Sequence, residues 1–64
     1  MQPHQQRVVD EATDLEDKVT KLNAFIASSP IFTGLDDTQQ GLLVAQSGSM
    51  GAYLEILKLR IASF

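Results

Sequence analysis

The stretch VVDEATDLEDKVTKLNAFI, residues 8–26, decides the fold. Apolar residues recur along it at alternating spacings of four and three, while most other positions are charged or polar. The apolar stripe consists of Val8, Ala12, Leu15, Val19, Leu22 and Ile26. Such spacing places about one apolar side chain per turn on one face of an α-helix. The pattern predicts an amphipathic helix over about residues 4–27.

The helical pattern stops at Ser28-Ser29-Pro30. Proline cannot donate the amide hydrogen that continues a helix, and it biases the residue before it away from helical angles. Residues 31–35 are too few to form a paired strand, so we predict a tight loop or a single helical turn there. Three apolar side chains are expected to plug this end of the molecule, namely Ile31, Phe32 and Leu35.

A second helix is predicted from about Asp37 to Ala62, because an acidic residue followed three positions later by Gln39 is a typical helix start. Its main apolar stripe consists of Leu43, Met50, Leu54, Leu57, Ile61 and Phe64, with a polar gap at Gln46 and Ser47. Two long helices joined by a short loop run antiparallel. The sequence therefore predicts an all-α fold, a single helical-hairpin domain over residues 1–64.

The second helix carries a further apolar line, formed by Tyr53, Ile56 and Leu59. One partner helix can cover one stripe but not two, so this line favours contact between subunits. A chain of 64 residues without cysteine also lacks the usual means of stabilising a small core. We therefore expect a homo-oligomeric helical bundle.

Small residues fill the run SGSMGA, residues 47–52. Glycine inside a helix costs about 0.5–1 kcal/mol relative to alanine, so some close approach should offset that cost. The run is interpreted either as a contact between helices of an oligomer or as a wall against a bound ligand.

The net charge of −3 is atypical of proteins that bind DNA or RNA polymers. No apolar segment is long enough to span a membrane, and the N-terminus has no signal-peptide pattern, so a soluble intracellular protein is expected. No nucleophile–base pair, metal-ligand cluster or cofactor motif is found, and we expect no enzymatic activity, no metal and no cofactor.

An antiparallel hairpin brings positive side chains together at the end away from the loop. Paired residue numbers should sum to roughly 64, which sets Arg60 level with His4, and Arg7 level with Leu57, near Lys58. Arginine matches phosphate oxygens in a bidentate manner, so this end is a candidate anion site. The alternative is that both arginines pair with acidic residues of a neighbouring subunit, namely Asp10, Glu11 or Glu55.

Three segments, HQQRVVDE at residues 4–11, KLNAFI at 21–26 and MGAYLEILKLRI at 50–61, resemble a known family in their order and spacing. It is the hairpin-domain family of phage anti-defence proteins that includes the anti-CBASS and anti-Thoeris sponges. The resemblance covers nearly the whole chain. It implies a hexamer of two trimers in the cytoplasm of the infected bacterium.

The resemblance also implies a function. Members bind cyclic dinucleotides such as cGAMP, cyclic trinucleotides or cyclic ADP-ribose signals between subunits and hold them intact, which keeps CBASS-type effectors inactive. By position, Arg7 and Arg60 would bind phosphate and Phe32 would stack on a base. Weaker candidates are Tyr53, Lys18 and Lys21. The residues alone leave an alternative open for each of these, in which Phe32 plugs the hairpin and the two lysines face solvent.

A second hypothesis of a different class rests on the apolar heptads alone. They are equally typical of a coiled-coil-like interaction module, or of an inhibitor that docks on a host protein. Loss of ligand without loss of the oligomer, on replacing the two arginines, would separate a sponge from such a module.

Overall fold

The computed structural model covers residues 1–64, and its first long helix, α1, spans Pro3–Ser28. The backbone amide of Gln2 donates to the side-chain oxygen of Gln5 at 2.9 Å, which occupies a donor that the helix leaves free. At the other end the amide of Ser29 donates to the carbonyl of Phe25 at 3.0 Å. The predicted helix is confirmed and extends one residue further at each end.

A four-residue helix, α2, spans Pro30–Thr33 and forms the predicted helical turn. Ser29 caps it, because its hydroxyl oxygen accepts from the amide of Ile31 at 3.2 Å. The half-buried ring of Phe32 lies edge-on to Phe25, with 6.0 Å between ring centroids and 80° between ring planes. Phe32 thus plugs the hairpin as predicted. The same prediction was wrong for Ile31, which is 68% exposed and therefore buries little of its side chain at the end of the hairpin.

The second long helix, α3, spans Asp37–Ala62, within the predicted bounds. The carboxylate of Asp36 accepts from the amide of Gln39 at 2.8 Å and caps the helix. One turn further on, the side-chain amide of Gln40 donates to the loop carbonyls of Phe32 at 3.0 Å and Leu35 at 3.1 Å. These bonds tie the loop to the start of α3.

The helices α1 and α3 pack side by side and antiparallel, in a hairpin measuring 45 × 15 × 13 Å. The core lies in the half of the hairpin that contains both chain termini. It consists of Val8, Ala12, Leu54 and Leu57, with Leu15 and Ile61 packed against it. Phe64 was expected to extend the stripe, but it follows the end of α3 and is 49% exposed.

The face of α3 turned away from α1 remains uncovered. Ile56 is 54% exposed, Leu59 is 70% exposed and Leu42 is 60% exposed. The prediction that one partner helix leaves a second apolar line uncovered is confirmed. None of the helices combines the length and the apolar character needed to cross a membrane.

Candidate functional site

An open groove of about 450 Å³ runs along the side of the hairpin where α1 meets α3. Helix α1 contributes Arg7, Asp10, Glu11, Asp14, Leu15 and Lys18, and α3 contributes Tyr53. Successive pairs of these α1 residues are three or four positions apart, from Arg7 to Asp10 and Glu11, then to Asp14 and Leu15, then to Lys18. Their side chains therefore line the same side of the helix, beside its apolar stripe. The groove thus lies directly against the core, which holds its two walls in place.

Tyr53 joins the two walls, because its hydroxyl donates a hydrogen bond to the carboxylate of Glu11. This bond raises the pKa of the Tyr53 phenol above its ordinary value, since ionisation would remove the donated hydrogen. Desolvation and the negative charge of Glu11 act in the same direction, while the positive charge of Arg60 opposes them. Tyr53 is 42% exposed, so part of its side chain remains available to a ligand.

The two cations of the groove, Arg7 and Lys18, have no carboxylate within 4.0 Å. Asp14 precedes Lys18 by four residues, a spacing that often yields an ion pair, but these two side chains do not form one. The two salt bridges of the chain lie elsewhere: Lys21 with Asp17 at 2.9 Å and Lys58 with Glu55 at 3.5 Å. The groove therefore offers two positively charged side chains that form no ion pair within the chain.

Three carboxylates, those of Asp10, Glu11 and Asp14, share the groove with these cations. An anion would find two positive charges there, and a group with N–H donors would find acceptor oxygens. Such a mixed lining suits a small ligand with both kinds of group better than a polymer of phosphates.

The structure brings together three of the six predicted ligand-binding residues: Arg7, Lys18 and Tyr53. Phe32 lies at the loop end, with its ring against Phe25, and takes no part in the groove. Lys21 is bound to Asp17, whose hydrogen bond and charge raise the lysine's pKa. Arg60 does not line the groove, although it follows Tyr53 by two turns and its charge reaches the phenol.

Comparison with known families matches the model of one family, Sequestin, over residues 2–63. The chain belongs to the Sequestin family. This match confirms the resemblance to the sponge-type phage anti-defence proteins, and it covers almost the full length of the hairpin. The name Sequestin agrees with a sponge role, in which a molecule is sequestered. Searches of curated proteins and of solved structures gave no significant match.

Sequence reasoning about this Sequestin chain missed the carboxylates of the groove. Asp10 and Glu11 were considered only as ion-pair partners for arginines of another subunit. A usable signal was present, because Asp10, Asp14 and Lys18 follow Arg7 at helical spacings of three and four. Spacing along α1 could not predict the hydrogen-bond partner of Glu11, because Tyr53 belongs to the other helix.

The small residues of the Sequestin chain have no explanation inside the hairpin. Ser47 bridges the polar gap of α3 with a hydrogen bond to the side-chain oxygen of Asn23. By contrast, a methyl group added at Gly41, Gly48 or Gly51 would meet no atom within 4 Å. No contact with α1 requires glycine at these three positions.

Proposed function

We propose that this protein sequesters a cyclic oligonucleotide immune signal, a cyclic dinucleotide such as cGAMP or a cyclic trinucleotide, and holds it intact between subunits. By lowering the free concentration of the signal in the infected bacterium, it would keep CBASS-type effectors inactive. The observation that carries the proposal is the groove itself, where Arg7 and Lys18 remain unpaired beside an exposed tyrosine ring in a chain of net charge −3.

The phosphates of the ligand would lie against Arg7 and Lys18. Charge-assisted hydrogen bonds to phosphate are shorter and about twice as strong as neutral ones, and neither cation must first give up an ion pair. Arg60, two turns beyond Tyr53, is the next available cation along α3. A cyclic oligonucleotide carries several phosphates, so it would use more than one of these groups.

A base of the ligand would stack on the ring of Tyr53. Stacking on an aromatic side chain contributes about 1–3 kcal/mol per base. The bond to Glu11 holds the ring in one orientation, which lowers the entropy cost of binding. The carboxylates beside the ring would accept hydrogen bonds from amino groups of the base, as carboxylates do from cytosine amines. This arrangement favours bases that carry an exocyclic amino group over uracil, which has none.

The groove has no arrangement suited to cleaving the ligand, and we propose that the protein is a binder and not an enzyme. A cyclic dinucleotide also has near two-fold symmetry. A symmetric oligomer would offer the same cation and the same ring to both halves of such a ligand. The volume of about 450 Å³ lies within the range of small-molecule sites, about 300–1,000 Å³.

The proposal is tested by measuring the melting temperature of the purified protein with a panel of cyclic di- and trinucleotides and cyclic ADP-ribose isomers. A ligand that binds only the folded state stabilises it by about 2.7 kcal/mol at 100 times its dissociation constant. Recovery of the nucleotide unchanged, by chromatography after heat denaturation of the complex, separates sequestration from cleavage. Ligands rich in uracil should give the smallest shift.

The matched variants are Arg7→Ala in the groove and Lys58→Ala outside it, since each removes one positive charge. Arg7→Ala should weaken binding about tenfold or more, because a hydrogen bond to a charged group contributes about 1.5–3 kcal/mol. Lys58→Ala should bind like the parent chain. A flat melting response across the whole panel contradicts the proposal, and so does equal weakening by both variants.

The second candidate function is a helical module that docks on a host protein. It is favoured by the exposed apolar side chains on the outer side of α3, among them Leu59. Such a module would give no melting shift with any nucleotide, and replacing Arg7 would leave its assembly and its stability unchanged.

A further inference from the structure

The three carboxylates of the groove differ in how much of their hydrogen-bonding capacity the hairpin already uses. Asp10 accepts from the side-chain amide of Gln6 at 2.9 Å, and Glu11 accepts from the hydroxyl of Tyr53. Asp14 lines the same groove but accepts no hydrogen bond from the protein and forms no ion pair. It is exposed, so both of its oxygens are open to a ligand.

This free carboxylate lies about one turn of α1 away from the level of the Tyr53 ring. Asp14 follows Glu11 by three residues, which is about 4.5 Å along the helix axis at 1.5 Å per residue. Glu11 in turn is bonded to Tyr53 across the groove. Leu15, the neighbour of Asp14, packs against the core and holds this turn of α1 in place. A base stacked on the ring of Tyr53 would therefore present one edge to Asp14.

The nucleobases differ in how well they satisfy a free carboxylate, which has two oxygens side by side and can only accept hydrogen bonds. Guanine carries two adjacent donors on one edge, the N1–H group and the amino group at C2, so it bonds both oxygens at once. In adenine and cytosine the amino group lies next to a ring nitrogen that is an acceptor, and this nitrogen repels the second oxygen. Uracil has one N–H group between two carbonyls. A free carboxylate therefore matches guanine best.

We propose that Asp14 is a specificity-determining residue of the groove and selects guanine, so that cyclic nucleotides containing guanine are the preferred ligands. This inference rests on the proposed function and narrows it, since an amino group alone would admit adenine and cytosine as well. The N1–H group of guanine donates to one oxygen of Asp14 and the amino group donates to the other. Asp10 and Glu11 are less suited to this task, because one oxygen of each already accepts from a protein donor.

The cations of the groove agree with a base bound at Asp14. Arg7 precedes Asp14 by seven residues and Lys18 follows it by four, so the carboxylate lies between the two cations on one side of α1. Each nucleoside of a cyclic dinucleotide is joined to two phosphates, which matches a base position with a cation on either side. A carboxylate near phosphates is unfavourable unless donors of the ligand satisfy it, and this cost falls on every base except guanine.

Three symmetric ligands test which base edge the groove recognises: cyclic di-GMP, cyclic di-IMP and cyclic di-AMP. Inosine differs from guanosine only in lacking the amino group at C2, so cyclic di-IMP removes one of the two donors and keeps the ring and the phosphates. Isothermal titration calorimetry gives the dissociation constant of each ligand. The parent chain should bind cyclic di-GMP about tenfold or more tightly than either of the others, as expected for a bidentate contact to a base.

Asp14→Asn tests the role of the carboxylate itself, because asparagine has the same shape but offers one acceptor and one donor side by side. This amide matches adenine, whose amino group donates and whose N1 accepts. The preference for cyclic di-GMP over cyclic di-AMP should therefore disappear or reverse. Glu16→Gln removes a negative charge from the exposed part of α1 outside the groove and should keep the preference of the parent chain. Both ligands carry two phosphates, so their ratio cancels the general effect of charge.

Three outcomes would overturn the selection of guanine by Asp14. The first is a parent chain that binds cyclic di-AMP or cyclic di-IMP as tightly as cyclic di-GMP; the proposed function would then stand, because a cyclic nucleotide is still bound. The second is an Asp14→Asn chain that keeps the preference of the parent, which assigns that preference to another residue. The third is the absence of binding by all three ligands together with a flat melting response across the whole panel, and only this outcome also removes the proposed function.

Discussion

The two long helices have the same length, 26 residues each, but very different outer surfaces. Helix α1 carries eight charged residues and helix α3 carries four, three of which lie in its last third. The outer side of α1 is thus a typical solvated surface, with all its large apolar residues turned toward α3. Helix α3 is apolar toward α1 and also apolar away from it.

The two helices therefore differ in how much apolar surface the hairpin leaves uncovered. Helix α1 is satisfied by one neighbour, because a single stripe of apolar side chains requires a single partner. Helix α3 has one covered side and one uncovered side, and its glycines make no contact with α1. The groove lies at the boundary, where the charged wall of α1 meets Tyr53 of α3.

The largest expected effect separates the inner side of α3 from its outer side. Leu57 is fully buried against α1, and Leu57→Ala should lower the free energy of unfolding by about 2–5 kcal/mol. Leu59→Ala, the same change on a side chain that is 70% exposed, should cost the isolated hairpin within about 0.5 kcal/mol. Urea denaturation followed by circular dichroism measures both.

Protein concentration sharpens this test. Any larger deficit of Leu59→Ala at high concentration should fade as the protein is diluted, because in the expected homo-oligomer a second copy would cover that side chain. The deficit of Leu57→Ala should persist at every concentration. Equal deficits for the two variants under dilution would mean that the sides of α3 do not differ.

A smaller and opposite effect is expected at Gly48. In the hairpin the added methyl group of Gly48→Ala meets no atom within 4 Å, so the higher helix propensity of alanine should stabilise the isolated chain by about 0.5–1 kcal/mol. If this uncovered side of α3 contacts another copy in the expected homo-oligomer, the same methyl group should hold the two copies apart. Denaturation of dilute protein and the particle mass by light scattering should therefore change in opposite directions. A simultaneous gain in both would contradict a close approach at this position.

The smallest effect concerns the bond that links the two helices in the groove. Tyr53 is the chain's single tyrosine, so the absorbance of tyrosinate during an alkaline titration reports on it alone. The midpoint should lie above the ordinary value of about 10, because the bond to Glu11 raises the pKa of the phenol. Glu11→Gln should bring the midpoint closer to the ordinary value. Glu16→Gln, on the exposed side of α1, should not.

The raised pKa of Tyr53 also determines how the free energy of unfolding changes with pH. The raised pKa means that the folded state favours the neutral phenol, so its contribution is fully present below the unfolded pKa near 10. That contribution is lost as the pH rises through the folded pKa. Tyr53→Phe should therefore lose less stability than the parent chain over the same alkaline range. If both chains lost the same stability over this alkaline range, the loss would come from titratable groups other than Tyr53.

Most of the fold was predictable because it is local. The stripe that begins at Val8, the proline at position 30 and the cap at Asp36 each act within one or two turns, and all three boundaries agree with the structure to within a residue. The exceptions occur where the chain leaves the helices. Ile31 and Phe64 are apolar, but no neighbouring element lies on the side to which they point.

The site was predictable only in part, since it depends on both helices. Helical spacing alone sets Arg7 and Lys18 on one side of α1, with the acidic residues between them. The sequence could not show that Lys18, and not Lys21, lines the groove. That depends on which side of α1 faces α3 and on the ion pair between Lys21 and Asp17. For Phe32 the sequence left two interpretations open, a plug of the hairpin and a stacking ring, and the ring packs against Phe25 at the end opposite the groove.

The sequence by itself determined that this chain is two antiparallel helices, that α1 has one apolar face and that α3 has two. These properties follow from periodicity and from capping, which involve neighbours along the chain. Only the tertiary structure decided which charged residues remain unpaired, and that Tyr53 meets Glu11 across the hairpin. Such contacts depend on the rotation and register of one helix against the other, which are set by the packing of Leu54 and Leu57 against Val8 and Ala12.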